Sequence, residues 1–282
     1  MEKKIAYPVN LVVECTTNCN LHCSICPHDG MKRQRGQVMH ESVYKKIIKE
    51  IGENSPKDTI LWHAFMGEPT TFVLLPDWIR KAREAGIENV WLNTNGMIYS
   101  PNIMAAGVTK VIVSIDAYIA ETYSKIRCGG DYWRVRGNVH RMLEDRDKGQ
   151  EVMVQFIVNE LNHKEVEAFK EYWLACGATV KIRNMLGWGR SVKDSLGYEN
   201  ERHPCNWLRR QMVILTDGKV AQCDADYEGK YAAGDINEQS IAEVWNGDLA
   251  RRRARHEAGD YDFEPCSQCD DWQVGRSEFL RK

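Results

Sequence analysis

Apolar positions along the chain switch repeatedly between short β-branched runs and longer stretches with a helical repeat. Leu11-Val12-Val13 reads as a buried strand, being short, branched at Cβ and followed by Thr16, Thr17 and Asn18. Val43, Ile47, Ile48 and Ile51 then share one helical face, which Gly52 and Pro56 end. Residues 59–65 predict a second strand, Leu75–Glu84 a helix stopped at Gly86, 89–92 a third strand and 108–115 a fourth. Helical patterns fill 119–126 and 135–148, Glu151–Val158 alternates like a fifth strand, 164–175 is helical and 179–183 is a sixth strand. Strict alternation predicts a parallel sheet with helices outside. At about 30 residues per unit, six units use roughly 185 residues and leave too little chain for eight. The expected fold is therefore α/β, a partial (β/α)6 TIM-like barrel over residues 1–186 with its chemistry at the carboxyl ends of the strands.

Past the barrel the pattern changes. Residues 186–203 are polar and include Gly187, Gly189 and Gly197, which predicts a linker over 187–204. Val213-Ile214-Leu215, Asp217-Gly218 and Val220 then read as a β-hairpin, with a short helix around 241–245. Residues 205–282 are thus expected to form a small C-terminal α+β domain. The run Arg251-Arg252-Arg253-Ala254-Arg255 reads as a solvated helix face.

Composition narrows the function. The 282 residues carry 38 Lys plus Arg against 40 Asp plus Glu, a net charge of −2, whereas nucleic-acid binders show excess basic charge. No apolar run spans a bilayer, and MEKKIAYPVN has no apolar leader segment. The expectation is a cytoplasmic protein that binds neither nucleic acid nor membrane. Ten cysteines in such a chain point to metal ligation rather than disulfides.

Three of those cysteines follow the first strand. Cys19, Cys23 and Cys26 have a C-x3-C-x2-C spacing on a loop that can curl, which suits three corners of an iron–sulfur cube and leaves the fourth iron open. A Cys3His zinc site using His22 or His28 satisfies the same spacing. With Asn20-Leu21 between them, these residues resemble the cluster-binding loop of the radical S-adenosylmethionine (radical SAM) enzymes. The resemblance implies a [4Fe–4S] cluster that holds SAM at its open iron and yields a 5′-deoxyadenosyl radical able to remove hydrogen from an unactivated C–H bond. Gly67-Glu68-Pro69 follows the second strand, where glycine permits close backbone approach and Glu68 can accept from an ammonium group. In the family the matching segment holds the amino group of SAM, usually after two glycines; here Met66 stands where the first would be. The resemblance also implies ribose and methionine contacts for Asn95 and Ser114, a contact of Arg127 with the SAM carboxylate, and packing of Ile25 on adenine.

Cys205, Cys223, Cys266 and Cys269 form a second set, enough for a complete [4Fe–4S] cluster or a structural zinc. With Asp217-Gly218-Lys219-Val220-Ala221-Gln222-Cys223, Gly234-Asp235-Ile236 and Val244-Trp245-Asn246, this set resembles the SPASM/twitch extension of radical SAM enzymes. Four cysteines rather than seven imply the twitch form, with one auxiliary cluster. Cys15 and Cys176 read as structural thiols. Cys128, in Ile126-Arg127-Cys128-Gly129-Gly130, sits after the fourth strand on a glycine loop and is a candidate hydrogen donor.

The implied enzyme acts on a small polyhydroxylated substrate, a sugar or aminocyclitol. It oxidises an alcohol carbon and passes the electron to the auxiliary cluster, in resemblance to the butirosin-pathway aminocyclitol dehydrogenase. Arg183, His63 or Asp226 would be the base, and a flavodoxin- or ferredoxin-type protein the electron donor. The alternatives are a radical epimerase using Cys128, a peptide-modifying maturase, and a zinc-stapled binding module.

Overall fold

β-Branched runs too short for helices become the strands of a single sheet, and the amphipathic stretches between them pack on its outer face. The computed structural model describes residues 6–192, 201–273 and 278–281. In chain order the elements of the first part are β1 (Asn10–Val13), α1 (Glu41–Asn54), β2 (Ile60–His63), α2 (Leu75–Glu84), β3 (Asn89–Thr94), α3 (Pro101–Ala105) and β4 (Lys110–Ser114). They continue with α4 (Ala120–Ile126), α5 (Tyr132–Asp145), β5 (Glu151–Val158), α6 (Val166–Ala175) and β6 (Thr179–Asn184). The second part contributes α7 (Asn206–Arg210), β7 (Gln211–Ile214), β8 (Lys219–Ala221), β9 (Gly234–Asp235), α8 (Ile241–Asn246), α9 (Asp248–Glu257) and β10 (Glu278–Leu280).

Strands β1 to β6 are parallel and adjacent in sequence order, as the alternating pattern predicts. They form the parallel half-barrel of an α/β fold. The sheet does not stop there. β7 pairs parallel with β1, in register Asn10↔Gln211 to Val13↔Ile214, and β10 pairs antiparallel with β6. The predicted hairpin exists as β7–β8, but it extends the barrel sheet instead of standing apart from it. Gly218, at φ +91°, makes its turn. Of the predicted linker, residues 193–200, with Gly197, lie outside the described residues. Gly187 and Gly189 donate their backbone N–H groups to Asp271 at 2.6 and 2.9 Å, so the start of that segment is tied to the end of the chain.

Two local expectations change. α1 runs through Gly52 to Asn54. A Cβ on Gly52 would stand 2.1 Å from the Ala85 carbonyl oxygen, so the glycine serves close helix packing and not helix termination. α3 was not expected, although Ser100 caps it by accepting from the Asn102 N–H and Pro101 opens it.

The main core lies between sheet and helices and includes Trp78, Trp173, Tyr44 and Phe156, all fully buried. Inside the barrel a small apolar cluster of Val12, Val213, Leu215 and Ala221 carries Trp62, Ala64 and Phe65 against it. Toward the carboxyl ends of the strands the inner wall turns polar, with Asn93, Ser114, Gln155, Lys181 and Arg183, which marks that end as working surface. A buried ion pair locks the second part onto the first. Arg33 grips Glu14 with two bonds of 2.8 Å, the Thr216 N–H donates to Glu14 at 3.1 Å, and Glu228 accepts from the backbone of Lys32 and Arg33.

Candidate functional site

The loop that leaves β1 carries Cys19, Cys23 and Cys26, and all three line one cavity at the carboxyl ends of the strands. Two backbone bonds hold the loop against the end of α4, His22 N–H to the Cys128 carbonyl and Ser24 N–H to the Ile126 carbonyl, both 2.9 Å. Burial pushes the Cys19 thiol up to about 11 and Cys26 to about 12, and raises Cys23 as well. The two histidines of the zinc alternative are engaged elsewhere. His22 Nδ1 meets Asp29 at 3.0 Å and His28 Nε2 meets the Thr17 carbonyl at 2.9 Å.

Five of the residues expected to contact SAM line the same cavity as the thiols: Glu68, Asn95, Ser114, Arg127 and Gly67. Gly67 is a steric necessity, since a Cβ would stand 2.0 Å from the Thr16 carbonyl oxygen, while the next N–H, of Glu68, donates to the Asn18 carbonyl at 2.7 Å. The segment that leaves β2 thus lies directly against the start of the cysteine loop. Glu68 is 3% exposed, and its carboxylate is already occupied. It accepts from the Asn95 N–H at 2.6 Å, the Thr94 hydroxyl at 2.7 Å, and the N–H and hydroxyl of Thr70. Burial raises its pKa, against the pull of these bonds. Glu68, expected as an ammonium acceptor, lines the cavity and also braces the ends of β2 and β3. Asn95 bridges to Asn20 at 2.8 Å, and Ser114 accepts from Gln155 at 3.1 Å. Arg127 is paired with Asp116 and sets Nη1 3.6 Å from Cys23 Sγ, so its charge serves the cysteine loop as well as the cavity. Ile25 and Pro69 are not among the lining residues.

The second set converges from three segments that are far apart in sequence. Cys205, Cys223, Cys266 and Cys269 line one cavity, with Gln222 donating to Cys266 Sγ at 3.1 Å and the Asp271 N–H pointing at Cys269 Sγ at 3.4 Å. Burial, then the neighbouring thiols, raises Cys223; burial also pushes Cys266 and Cys269 up to about 12. All ten cysteines are free. Among the described residues, no three His, Cys, Asp or Glu side chains close on a point for a single ion.

Residues 13–172 match the Radical SAM superfamily, and residues 205–270 match SPASM, an iron–sulfur cluster-binding domain. The chain belongs to the radical SAM superfamily. It is a radical SAM enzyme that carries [4Fe–4S] chemistry and SAM, with a further iron–sulfur site in its SPASM domain. Both donor sets fit this, since three thiols line the first cavity and four line the second. A probable GTP 3′,8-cyclase of Methanococcus maripaludis (strain C5) is 28% identical over 173 residues, 59% of this chain and 55% of that protein. The chain thus matches about half the length of that curated relative. The solved structure of BtrN in complex with AdoMet and 2-DOIA superposes with a TM-score of 0.68 at 18% identity, covering 94% of both chains. Streptococcus suis SuiB bound to precursor peptide SuiA gives a TM-score of 0.71 at 13% identity, over 95% of this chain and 71% of that one.

In this radical SAM enzyme the other candidate residues stand in different places. Cys128 lines neither the SAM cavity nor its neighbour; its thiol donates to the Lys125 carbonyl at 3.4 Å, back toward α4. His63 faces outward. It is fully buried beneath α1 and α2, contacts the Tyr44 hydroxyl at 3.0 Å, and burial lowers it to about 4. Asp226 accepts from the N–H groups of Gln222 and Tyr231 and shapes its own loop. Of the three base candidates, Arg183 lines a cavity of about 100 Å³ that meets the cysteine-lined cavity at Ala64, Phe65 and Asn93. Phe65 stands at this junction with φ +125°, a conformation non-glycine residues rarely adopt.

Three residues on this cavity were missed. Lys181 shares the inner face of β6 with Arg183, Asp224 follows Cys223, and Gln211 donates to Asp224 at 2.5 Å. Burial raises Asp224 to about 7 and lowers Lys181 to about 7. The two-residue spacing of Lys181 and Arg183 was the available signal, because a charge on each alternate strand position marks one face. Among the described residues no helix is long and apolar enough to cross a membrane.

Proposed function

We propose that this radical SAM enzyme oxidises a secondary alcohol on a small polyhydroxylated molecule. One observation carries the reading: Asp224, next in sequence to the auxiliary ligand Cys223, lines the cavity that opens onto the SAM cavity. The loop that holds the second cluster therefore reaches the space where substrate would sit. An electron leaving the substrate would have a short path to that cluster.

When bound, the first cluster and SAM supply the radical that removes a hydrogen atom from carbon. The residues of the chain do the rest. Cys19, Cys23 and Cys26 hold the first cluster, and Cys205, Cys223, Cys266 and Cys269 the second. Gly67, Asn95 and Ser114 shape the SAM seat, and Glu68 keeps the strand ends in register beneath it. Asp224, oriented by Gln211, accepts the hydroxyl proton as the carbonyl forms. Trp62, Trp188 and Trp207 wall the cavity and exclude water. A flavodoxin- or ferredoxin-type donor supplies the starting electron. Fold likeness to BtrN over 94% of both chains supports the size class of substrate.

The test is anaerobic reconstitution with SAM, reductant and a panel of sugars and cyclitols, read by mass spectrometry. A product two mass units lighter than substrate, formed with one 5′-deoxyadenosine, supports oxidation. An inverted product of unchanged mass, or a cross-linked peptide, would replace this reading with the epimerase or the maturase.

A further inference from the structure

The polar wall of the cavity beside the SAM seat carries an imbalance of charge. Lys181 and Arg183 both point inward from β6, against the single carboxylate of Asp224. Neither cation has a salt-bridge partner among the described residues. Lys181 is 8% exposed, and its Nζ lies over the rings of Trp62 and Phe279 at 5.7 and 5.9 Å. Among the described residues, the only hydrogen bond of the Arg183 guanidinium is a 3.3 Å contact from Nη1 to the neighbouring Asn184 carbonyl. The carboxylates close enough to act on Arg183 are Asp116, Asp224 and Asp271. Each is engaged by another group: Asp116 by Arg127, Asp224 by Gln211, and Asp271 by the N–H groups of Gly187 and Gly189.

A buried ammonium and a half-buried guanidinium without counterions are costly, and such groups are kept where a ligand neutralises them. Guanidinium presents a planar fork that matches carboxylate or phosphate oxygens, and a compact ammonium beside it adds a point charge. An aminocyclitol, which is itself cationic, would meet repulsion from both.

We propose that the substrate carries an anionic group, a carboxylate or a phosphate monoester, held between Lys181 and Arg183 with its hydroxylated carbons turned toward Phe65 and the SAM seat. This rests on the cavity being the substrate site. The polyhydroxylated class is kept, and the aminocyclitol member of it is replaced by an acidic sugar or sugar phosphate.

The test is calorimetric titration of the anaerobically reconstituted, SAM-loaded protein, without reductant, with glucose, glucosamine, glucuronate and glucose 6-phosphate. At least one anionic probe should bind tenfold or more tighter than glucose and glucosamine, and which one does identifies the anion. In Arg183→Gln that preference should fall at least tenfold, and in Arg183→Lys it should be partly kept. Lys181→Met should weaken the same probe, with SAM affinity unchanged in all three variants. Tightest binding of glucosamine, equal affinities, no measurable binding of either anion, or a preference that survives Arg183→Gln overturns the inference. Because no turnover is involved, this outcome is separate from that of the oxidation reading, which the product mass decides.

Discussion

Arg127 holds its guanidinium 3.6 Å from the Cys23 sulfur while its other edge is bound to Asp116. Asp116 is fully buried and also accepts from the Ile157 N–H at 2.7 Å, so one ion pair joins the cysteine loop to the ends of β4 and β5. Arg127→Gln leaves that carboxylate buried without its counterion, which should cost about 3–5 kcal/mol of stability. It also removes a positive charge beside a ligand sulfur, so the first cluster should become harder to reduce. Denaturant unfolding and a redox titration followed by electron paramagnetic resonance read the two effects. An unchanged midpoint potential would disprove the electrostatic part.

Gly67 lies against Thr16, three residues before Cys19, and has no room for a side chain. Gly67→Ala should push the cysteine loop off the end of β2 at a cost of at least ~3 kcal/mol, the upper range for forced overpacking. Iron at the first site should be lost while the second site stays filled. Full iron content in the purified variant would show that the loop can move aside.

Replacing Cys19, Cys23 and Cys26 together by Ala should halve the iron and abolish 5′-deoxyadenosine. Replacing Cys266 or Cys269 should act later, sparing part of SAM cleavage but blocking product, and should weaken the C-terminal part because cluster binding and folding are coupled there. Normal product from a folded variant without the second cluster would contradict its role as electron acceptor.

Cys128→Ala should retain most turnover, because the thiol points to the Lys125 carbonyl and lines neither cavity. Loss of product with continued SAM consumption would restore it as a hydrogen donor.

His63 is buried beneath the helices, and burial lowers it from an ordinary 6.5 to about 4. A histidine depressed in the folded state stabilises the fold above its unfolded pKa, and that contribution is lost as pH falls from about 6.5 through about 4. The shift corresponds to on the order of 3 kcal/mol. His63→Gln cannot titrate, so its unfolding free energy should fall less steeply than wild type across this window. Parallel slopes from denaturant titrations would remove His63 as the cause.

The chain by itself determined its cofactors and its half-barrel. Ligand spacing within a loop, as in Cys19, Cys23 and Cys26, is local information, and so is the alternation of β-branched runs with helical repeats. The tertiary structure alone decided which side chains share the working space. Buried parallel strands are apolar on both faces, so the period-two pattern that would tell Trp62 from His63 is hidden, and only pairing in the sheet turns one inward and the other under the helices. Hydrogen bonding gave Glu68 a second task, bracing strand ends through Thr70, Thr94 and Asn95, that its chemistry as an ammonium acceptor does not show. A helical turn decided between Asp224 and Asp226, sending the first into the cavity and the second into its own loop. Most of these outcomes also depend on contacts between segments distant in sequence. β7 brings Asp224 to the cavity by pairing with β1, some 200 residues earlier in the chain, and no local pattern records such a meeting.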